Sequence, residues 1–529
     1  MPPCVLFEDE HLLVVNKPAG LNTHAPAPYA GEGLYEWLRS REPRWASLAI
    51  IHRLDKETSG VLVFSKTPEA NRSLTAQFAQ HRIRKIYRLL TDRAVSPPAF
   101  AVVSALVRVG DKYESRPAQA GAEVAETRFR VIGSQDQQVL VEAQPVTGRT
   151  HQIRVQAAER GFPILGDGRY GGTPAARLCL HAAEITLQHP ATAEEMRFAA
   201  PENFSADIHF ALRWALLDHH ETNAVRLVHG AADGWPGWYV DRLGDFLLSQ
   251  GEAPLTEAQD QQLIAWLREL KLAGAYHKIL RRHARQSSPA EASPKWVAGE
   301  VVPDEWVVRE NRLHFALRFG EGYSIGLFLD QRENRRRFLM NRVTADFPLF
   351  DLDAPGAQVL NVFAYTCGFS VCAAKTGARV TSVDLSKKHL DWGRLNFALN
   401  SLDPAEHAFI YGDAFDWLRR FQRKSQVFDT LVLDPPTFST SKESGTFNAE
   451  RDYGSLLIEA LPLVKPGGVL LACSNAARLK PEEFLRVIGT AVQAARRQIQ
   501  QQHYVPQPPD FPVDRAEPAY LKTVWLRLS

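Results

Sequence analysis

The segment His52-Arg-Leu-Asp-Lys-Glu-Thr-Ser-Gly60 places a carboxylate, Asp55, among basic residues and just ahead of a Thr-Ser-Gly turn. The apolar run at residues 61–64 follows at once and predicts a buried strand. The neighbouring cations Arg53 and Lys56 favour the ionised form of this carboxylate. The alternative is a turn aspartate that binds its own backbone, which is the commoner role of that residue in a turn. The segment therefore indicates a positioned carboxylate whose role depends on the rest of the chain.

Further motifs surround this segment within the first 200 residues. They are, in chain order, Leu13-Val-Val-Asn-Lys-Pro-Ala-Gly20, Lys85-Ile-Tyr87, Thr147-Gly-Arg-Thr-His-Gln-Ile-Arg154, Pro163-Ile-Leu-Gly-Asp167 and Leu180-His-Ala182. Together with residues 52–60 they resemble the RluA-type pseudouridine synthases over most of residues 5–200. The resemblance implies an α+β fold with a mixed or antiparallel central sheet, and an enzyme that converts uridine in RNA to pseudouridine.

The same resemblance implies roles for individual residues. Asp55 is the catalytic carboxylate, Arg154 is its basic partner, and Tyr87 stacks on the uracil ring. Arg53 resembles the family residue that fills the gap left when the uridine flips out of its helix. The isomerisation cleaves the C–N glycosidic bond, turns the free uracil and rejoins it through carbon 5. A carboxylate can attack the sugar or the base, or stabilise a sugar cation, and the sequence leaves these alternatives open.

Basic residues are clustered at residues 81–88, 277–285 and 332–337. A lone basic cluster is commonly a solvated surface, but beside an RNA-modifying motif phosphate contact is favoured. We therefore expect RNA contacts in the synthase half from Arg84, Lys85, Arg149 and His151. Neither a metal nor another cofactor is expected for this half.

Length and composition indicate a globular protein of more than one domain. Most domains hold about 100–200 residues, and this chain has 529. Its net charge of +2 is nearly neutral, so overall basicity does not indicate nucleic acid. Its 5 cysteines include no Cys-x-x-Cys pair, which argues against a zinc site and a disulfide framework. Neither a signal peptide nor a membrane span is recognisable, and we expect a cytoplasmic protein.

The chain changes character near residue 200, and we predict three domains. These are a pseudouridine synthase over residues 1–205, a small α+β unit over residues 206–320 that links and contacts RNA, and a nucleotide-binding domain over residues 321–529. No catalytic constellation is recognisable in the small unit.

The last domain carries a second set of motifs. Residues 359–370 predict a strand, a small-residue turn and a helix, and residues 380–384 predict a second strand that ends in Asp384. An acid at this place accepts ribose hydroxyls in doubly wound folds, although it can also cap a helix. The usual Gly-x-Gly turn is absent, and only Gly368 remains. A further strand ends in Asp434-Pro-Pro436, which directs its carboxylate to the same edge of the sheet.

These motifs resemble the class I S-adenosylmethionine (SAM)-dependent methyltransferases with a Rossmann-like α/β fold. Gly326-Leu-Phe-Leu-Asp-Gln-Arg-Glu-Asn-Arg335 narrows the resemblance to bacterial large-subunit rRNA base methyltransferases, over about residues 220–529. By position, the expected SAM contacts are Gln331, Arg332, Phe363, Tyr365, Gly368, Asp384, Asp413 and Asp434. Asp434, as a catalytic residue, and Thr437, as an RNA contact, are expected at the target base.

Chemistry separates two possible methyl acceptors. Methylation of cytosine at carbon 5 requires a thiolate that adds to the ring, whereas nitrogen 7 of guanine carries a free lone pair. The cysteine position of the cytosine-type relatives holds Asn475 here, and Cys473 lies one residue earlier. Adjacent strand residues point to opposite faces, so we expect Cys473 to face the core and we favour guanine.

The sequence thus predicts a bifunctional enzyme that acts on RNA, most readily 23S rRNA. Three alternatives stay open: methylation at carbon 5 of cytosine, a synthase half that acts on tRNA, and one half reduced to a non-catalytic RNA-binding module.

Overall fold

A computed structural model describes residues 1–27, 29, 33–117, 124–280, 292–321, 324–350, 356–441, 445–514 and 516–529. The chain forms two compact units, which meet between Asp218 and His219. The first contains residues 1–26 and 33–218, and the second contains Ala27, Tyr29 and residues 219–529. The three-domain division stays a prediction, because the small α+β unit is not separated here from the nucleotide-binding domain.

The first unit is built on one large sheet with short helices. Its described strands are β1 Val5–Glu8, β2 Leu12–Lys17, β3 Ala49–Ile50, β4 Ser59–Ser65, β5 Arg84–Thr91, β6 Ala99–Val109, β7 Lys112–Arg116, β8 Val124–Gln135, β9 Gln138–Pro145, β10 Leu180–Gln188 and β11 Glu195–Ala199. Its described helices are α1 Leu34–Arg41, α2 Pro68–Ala79, α3 Gln152–Glu159 and α4 Ile208–Leu216.

The strand order β1-β2-β4-β10-β5-β9-β8-β6-β7 makes this sheet mixed. Its neighbours are antiparallel except β4 and β10, which are parallel. Every residue of β4 is buried, which explains its nearly continuous apolar sequence. Gly60 in β4 has φ of +118°, and a Cβ there would lie 2.2 Å from the carbonyl oxygen of Ala182 in β10. Glycine is therefore required where the two parallel strands meet, at the last residue of the Asp55 segment.

The second unit contains two larger sheets and three hairpins among its described residues. Its strands are β12 Ala224–His229, β13 Trp238–Leu243, β14 Phe246–Gly251, β15 Gly274–Ile279, β16 Lys295–Gly299, β17 Trp306–Glu310, β18 Leu313–Leu317, β19 Arg342–Thr344, β20 Phe347–Pro348, β21 Gln358–Val362, β22 Arg379–Asp384, β23 Ala408–Tyr411, β24 Phe428–Leu433, β25 Phe438–Ser441, β26 Gly445–Asn448, β27 Val464–Ser474, β28 Ile499–Val505 and β29 Lys522–Leu528. Its helices are α5 Glu257–Glu269, α6 Arg332–Leu339, α7 Gly368–Lys375, α8 Lys387–Leu399, α9 Ala414–Arg423, α10 Ala449–Ala460 and α11 Pro481–Ala494.

The larger sheet of this unit has the order β23-β22-β21-β24-β27-β29-β28. The five strands β23, β22, β21, β24 and β27 are parallel to one another. The strand β29 is antiparallel to both of its neighbours, β27 and β28. The order reverses at β21, so the carboxyl ends of β21, β22 and β24 form the edge where doubly wound folds bind ligands. This is the Rossmann-like fold that the sequence predicts.

The smaller sheet, β12-β13-β14-β15-β16, shares its core with the Rossmann-like part. Buried Phe246 and Phe315 belong to the same apolar cluster as Phe338 and Trp525. The amide side chain of Asn396 in α8 accepts a hydrogen bond from the Ala316 backbone at 2.9 Å. One continuous core explains why residues 219–529 form a single unit.

Candidate active sites

The Asp55 segment is fixed from below by two side chains near the amino terminus. The buried ammonium of Lys17 donates to the carbonyl oxygens of Pro18, Leu21 and Lys56, at 2.9, 2.7 and 3.2 Å. Burial lowers the pKa of Lys17 to about 7, against the opposing charges of nearby carboxylates. The hydroxyl of Thr23 donates to the carbonyl oxygen of Leu54 at 2.9 Å. The residues on both sides of Asp55 are therefore held by these hydrogen bonds, although residues 52–58 form neither helix nor strand.

Arg154, at the start of α3, lies between two carboxylates. Its Nη1 donates to Oδ2 of Asp55 at 3.3 Å, while its Nε and Nη2 bind Asp167 at 2.7 and 2.8 Å. The Asp55 side chain is 27% exposed, whereas that of Asp167 is 1% exposed. Asp167 thus holds the guanidinium in place, and the third guanidinium nitrogen reaches the accessible carboxylate.

His151 and Tyr170 lie on the same side of Asp55 as Arg154, and this group of residues lines the proposed active-site cleft. Nε2 of His151 lies 3.8 Å from Oδ2 of Asp55, and its Nδ1 lies 2.8 Å from the hydroxyl of Tyr170. His151 has φ of +56° and precedes α3, so its ring is set by an unusual backbone conformation. Burial lowers the pKa of His151, and the charge of Asp55 opposes this shift. His151 therefore contacts the carboxylate side of the cleft, whatever its role toward RNA.

Tyr87 and Lys85 lie on one face of β5, and Arg84 lies on the other, because strand residues alternate. Burial, with a smaller effect from the charge of Asp55, raises the pKa of Tyr87. Lys85 is half-buried, with Nζ 3.5 Å from the carbonyl oxygen of Thr147. Arg84 instead lines a groove of about 930 Å³ with Arg82 and other charged residues. Arg84 and Lys85 thus point to opposite faces of β5, and the RNA contact expected of each stays a prediction.

Two other predicted RNA-contacting residues are exposed. Arg53 precedes Asp55 in the segment, and Arg149 lies in the turn that leads to α3. The amide oxygen of Gln152 accepts hydrogen bonds from the Arg149 backbone and the Thr147 hydroxyl, at 2.9 and 2.8 Å. This turn is rigid, and Arg149 stands on it beside the Arg154 helix.

In the second unit, the turn after β21 has an unusual backbone. Phe363, Tyr365 and Cys367 have φ of +62°, +48° and +63°, a region that glycine adopts most readily. The amide of Tyr365 donates to Oδ2 of Asp384 at 2.8 Å. Gly368 begins α7 directly after the turn. Non-glycine residues thus adopt positive φ in this turn, and the hydrogen bond to Asp384, at the end of β22, stabilises that conformation.

The other oxygen of Asp384 accepts the amide of Ser386 at 2.8 Å. Ser386, not Asp384, caps α8, because its hydroxyl accepts from the His389 amide at 3.2 Å. Asp413 follows β23 and is the N-cap of α9, with its Oδ1 3.1 Å from the Asp416 amide. Asp384 and Asp413 therefore stand at the carboxyl ends of adjacent strands, as the sequence predicts, and both also stabilise local backbone.

Asp434 directly follows β24 and is half-buried. Its Oδ2 accepts a hydrogen bond from the side-chain amide of Gln331 at 3.1 Å. Burial raises the pKa of Asp434 to about 7, and the nearby carboxylate of Asp330 adds to the shift. The Asp330 carboxylate itself accepts the hydroxyl of Tyr520 at 2.9 Å. Asp434 thus has the perturbed acidity that is common in active sites.

The basic cluster at residues 332–337 is helix α6, and most of it is buried. Arg332 is 1% exposed and pairs with Asp510, with Nη1 2.9 Å from Oδ2. Arg335 is 3% exposed and binds Glu310 through Nε and Nη2, at 2.6 and 2.7 Å. The burial and pairing of Arg332 and Arg335 argue against phosphate contact by these two cations, and the contact of Arg332 with SAM stays a prediction. Residues 281–285 of the cluster at residues 277–285 lie outside the described residues.

Cys473 lies near the end of β27, and Asn475 directly follows the strand. Cys473 is fully buried, but so is the next strand residue, Ser474, so burial does not separate the two faces of β27. Burial and the charge of Asp434 raise the pKa of the Cys473 thiol far above the ordinary value, and the thiol also forms a hydrogen bond with the Gln331 side chain. The thiol therefore adjoins Gln331 and Asp434, and the expectation that it faces away from the pocket stays a prediction.

Asn475, just past the end of the strand, is exposed. Its Oδ1 accepts the hydroxyl of Thr437 at 2.7 Å.

Comparison with known proteins assigns both units. Residues 225–527 match the family described as S-adenosylmethionine-dependent methyltransferase. The chain belongs to this family. Residues 11–159 match the family described as RNA pseudouridylate synthase. The enzyme is therefore a fusion of a pseudouridine synthase with a SAM-dependent methyltransferase.

The curated relatives match the methyltransferase unit. Ribosomal RNA large subunit methyltransferase I of Cronobacter sakazakii is 33% identical over 303 residues, which are 57% of this chain and 73% of that relative. Ribosomal RNA large subunit methyltransferase of Deinococcus radiodurans is 32% identical over 325 residues, covering 60% of this chain and 76% of the relative. The crystal structure of SMU.776 complexed with SAH has 28% identity and a TM-score of 0.50, over 58% of this chain and 76% of that one.

The methyltransferase edge offers donors and acceptors that suit SAM. Each oxygen of Asp384 accepts one backbone N–H, and a carboxylate oxygen can accept a second hydrogen bond. The ribose hydroxyls are suitable donors for these free lone pairs. Rings of Phe328 and His389 lie 5.2 and 4.7 Å from that of Tyr365 and close one side of the edge. The roles of single residues toward SAM stay predictions.

Several contributors were not predicted from the sequence. In the synthase domain these are Lys17 and Tyr170, together with Asp167 as the residue that fixes Arg154. In the methyltransferase they are Asp330, Glu310 and Asp510. Lys17, Asp167 and Tyr170 lie in or beside motifs that the sequence analysis recognised. Asp330 also lies in a recognised motif, whereas Glu310 and Asp510 give no local signal, since they pair with arginines 25 and 178 residues away.

No helix among the described residues is long and apolar enough to cross a membrane. All five cysteines are buried free thiols.

Proposed function

We propose that this enzyme modifies the RNA of the large ribosomal subunit twice, by isomerising a uridine and by methylating a base. The observation that carries the proposal is that each unit has its own accessible or perturbed carboxylate, Asp55 beside Arg154 and Asp434 beside Gln331. The printed names of the methyltransferase relatives supply the RNA class. The buried free thiols suit a reducing compartment such as the cytoplasm.

In the synthase, Asp55 is the group that would react with, or stabilise, the nucleoside during glycosidic cleavage. Arg154 orients this carboxylate by a hydrogen bond, because its own position is fixed by Asp167. The Tyr87 hydroxyl stays protonated near neutral pH, since burial raises its pKa. It is therefore suited to donate a hydrogen bond or to stack, rather than to act as a phenolate.

In the methyltransferase, SAM supplies an electrophilic methyl group when it is bound. Asp384 and Asp413 are proposed to hold the ribose and the adenine amine, and Phe363 and Tyr365 to adjoin the methionine part. Asp434 and Thr437 are proposed to bind the target base. A carboxylate at Asp434 can accept a hydrogen bond from an amino group, which both guanine and cytosine carry.

For the acceptor base we propose nitrogen 7 of guanine. The relatives do not favour guanine over cytosine, and the alternative of carbon 5 of cytosine fits them. Support for guanine comes from the thiol: Cys473 is fully buried, and burial opposes the thiolate that cytosine chemistry needs. The place of the nucleophilic cysteine in cytosine-type relatives is taken by Asn475.

Replacing Cys473 with Ala is expected to leave methylation within about twofold of the wild-type rate, because burial opposes formation of the thiolate that an attack on cytosine would need. The measurement is transfer of labelled methyl to rRNA, with circular dichroism to confirm folding. Cys372, also fully buried, gives the matched control as Cys372→Ala. Loss of methylation in a folded Cys473→Ala enzyme, with Cys372→Ala active, would establish the cytosine mechanism instead.

The methylation rate is expected to depend on the protonation of Asp434. Because burial raises the pKa of this carboxyl to about 7, it is mainly protonated below pH 7 and ionised above it. If the ionised form accepts a hydrogen bond from the base, the rate per bound substrate should rise about tenfold per pH unit below 7 and level off above it. Single-turnover methylation between pH 5.5 and 8.5 measures this profile. Asp434→Asn should be slower and lack the inflection, and a flat wild-type profile would exclude the role.

Nucleoside mass spectrometry tests the whole proposal. In rRNA and tRNA from cells that lack the gene, one pseudouridine and one methylated base should be missing from large-subunit rRNA, and both should return with the gene. Loss of a pseudouridine from tRNA alone would replace the rRNA assignment of the synthase with the tRNA alternative. Loss of one modification only would show that the other unit is a binding module.

A further inference from the structure

Thr437 and Asn475 connect two strand ends beside the carboxylate of Asp434. Thr437 follows β24 by way of two prolines, and Asn475 follows β27. The two strands are neighbours, with Leu433 opposite Ala472. The hydroxyl of Thr437 donates to Oδ1 of Asn475 at 2.7 Å, although both residues are exposed. The link therefore lies on the open side of the sheet edge where the base is proposed to enter.

The backbone that carries Asn475 is fixed on both sides. Its neighbours Ser474 and Ala476 are fully buried. The amide of Ala476 donates to the Ser474 hydroxyl at 3.3 Å, and its carbonyl oxygen accepts from the ammonium of Lys522 at 2.5 Å. Thr437 is held in turn by its carbonyl oxygen, which accepts the Ala449 amide at 2.9 Å. An exposed side chain on such a rigid turn is preorganised to bind a ligand rather than to stabilise the fold.

The direction of the Thr437 hydrogen bond sets the chemistry that Asn475 presents. Its oxygen accepts the Thr437 hydroxyl, so its Nδ2 group is left as the donor of this side chain. Guanine carries the acceptor O6 beside its nitrogen 7, whereas cytosine carries the donor N4 beside its carbon 5. A fixed donor at this place matches the first arrangement and opposes the second.

We propose that the Thr437–Asn475 pair reads the methyl-accepting base, with the Asn475 amide donating to O6 of guanine. This inference rests on the proposed function of the methyltransferase and names its specificity-determining residue. Thr437 acts as a positioning residue, because it orients the Asn475 amide through their hydrogen bond. The pair thereby selects the base by its hydrogen-bonding edge.

Variants at the two positions test the assignment in the full chain. Asn475→Ala removes the donor and should lower kcat/KM for rRNA methylation about tenfold to a hundredfold. Asn475→Asp presents an acceptor and should lower it further, while Thr437→Val should have a smaller effect. Gln493→Ala, which removes an exposed amide from α11 in the same unit, is the matched control and should be unchanged. SAM affinity by calorimetry should stay at the wild-type value in every variant.

A base analogue separates reading from a structural effect. In an rRNA fragment whose target guanosine is replaced by 2-aminopurine riboside, nitrogen 7 is kept and O6 is absent. Wild-type enzyme should methylate this fragment about tenfold to a hundredfold more slowly than the guanosine fragment, and Asn475→Ala should treat the two alike. Equal rates for wild-type enzyme, or a preference for guanosine that survives in Asn475→Ala, would overturn the inference.

The experiments distinguish failure of the proposed guanine methylation from failure of the proposed role of Asn475. If the methylated product is 5-methylcytidine, the guanine assignment fails and the reading of O6 fails with it. If 7-methylguanosine is formed but Asn475→Ala matches Gln493→Ala, only the role of Asn475 is overturned.

Discussion

Replacing Asp55 with Asn is expected to reduce pseudouridine formation by about a thousandfold or more, because the reacting carboxylate becomes a neutral amide of the same shape. The fold should persist, since Asp55 is partly exposed and its backbone is held by Lys17 and Thr23. Methylation should stay at the wild-type rate, because Asp434 belongs to a different compact unit. Both products are measured on the same rRNA by nucleoside mass spectrometry.

Glu57→Gln is the matched control for Asp55→Asn. Glu57 is 53% exposed and lies 4.0 Å from the same Arg154 nitrogen, so its replacement changes the local charge equally. It should retain most of the synthase activity, because its carboxylate is in solvent rather than in the cleft. Equal losses in the two variants would mean that charge near Arg154, and not the identity of Asp55, decides the rate. Loss of both modifications in Asp55→Asn would contradict the independence of the two units.

Replacing Glu310 with Ala is expected to destabilise the methyltransferase unit by about 3–5 kcal/mol, because it leaves the buried charge of Arg335 without its partner. The Glu310 and Arg335 side chains are 1% and 3% exposed, and two hydrogen bonds join them. Arg335 also donates to the carbonyl oxygen of Phe328, at 2.7 Å, beside the Tyr365 ring. SAM affinity should therefore fall together with stability.

The free energy of unfolding is measured in urea, with hydrogen exchange to separate the two units. Glu305→Ala breaks a comparable pair with Arg318, whose side chains are 37% and 28% exposed. Its cost should be about 1 kcal/mol or less, since exposed ion pairs contribute little. Equal destabilisation by both variants would show that burial of the Glu310–Arg335 pair is not what matters.

The synthase site could largely be predicted from the sequence because its residues stand in recognisable motifs. Asp55 and Arg154 are 99 residues apart, and the structure brings them into contact. The partner that fixes Arg154 was harder to assign, because any of several nearby acids could fill that position. Arg84 and Lys85 are adjacent in β5, so their side chains lie on opposite faces of the sheet. The composition of a basic cluster does not show this, because it does not show where the strand runs.

The methyltransferase shows where local sequence is insufficient. Arg332 stands in an arginine-rich segment that looks like a phosphate-binding surface, yet its partner Asp510 is 178 residues further along the chain. The turn after β21 forms without the expected glycines: Phe363, Tyr365 and Cys367 adopt the positive φ that glycine would adopt more readily. That conformation costs about 1–2 kcal/mol per residue, and only tertiary contacts such as the Tyr365–Asp384 bond can offset it. Sequence patterns do not encode such contacts.

The continuous core of residues 219–529 bears on how such an enzyme is inherited. A gene segment that began at the Rossmann-like part would leave Arg335 without Glu310 and would expose the apolar face that Phe246 and Phe315 cover. The smallest stretch that recombination can move intact is therefore the β12–β16 sheet together with the methyltransferase sheet. The boundary between Asp218 and His219 is therefore the position at which this stretch can be fused to another modifying enzyme.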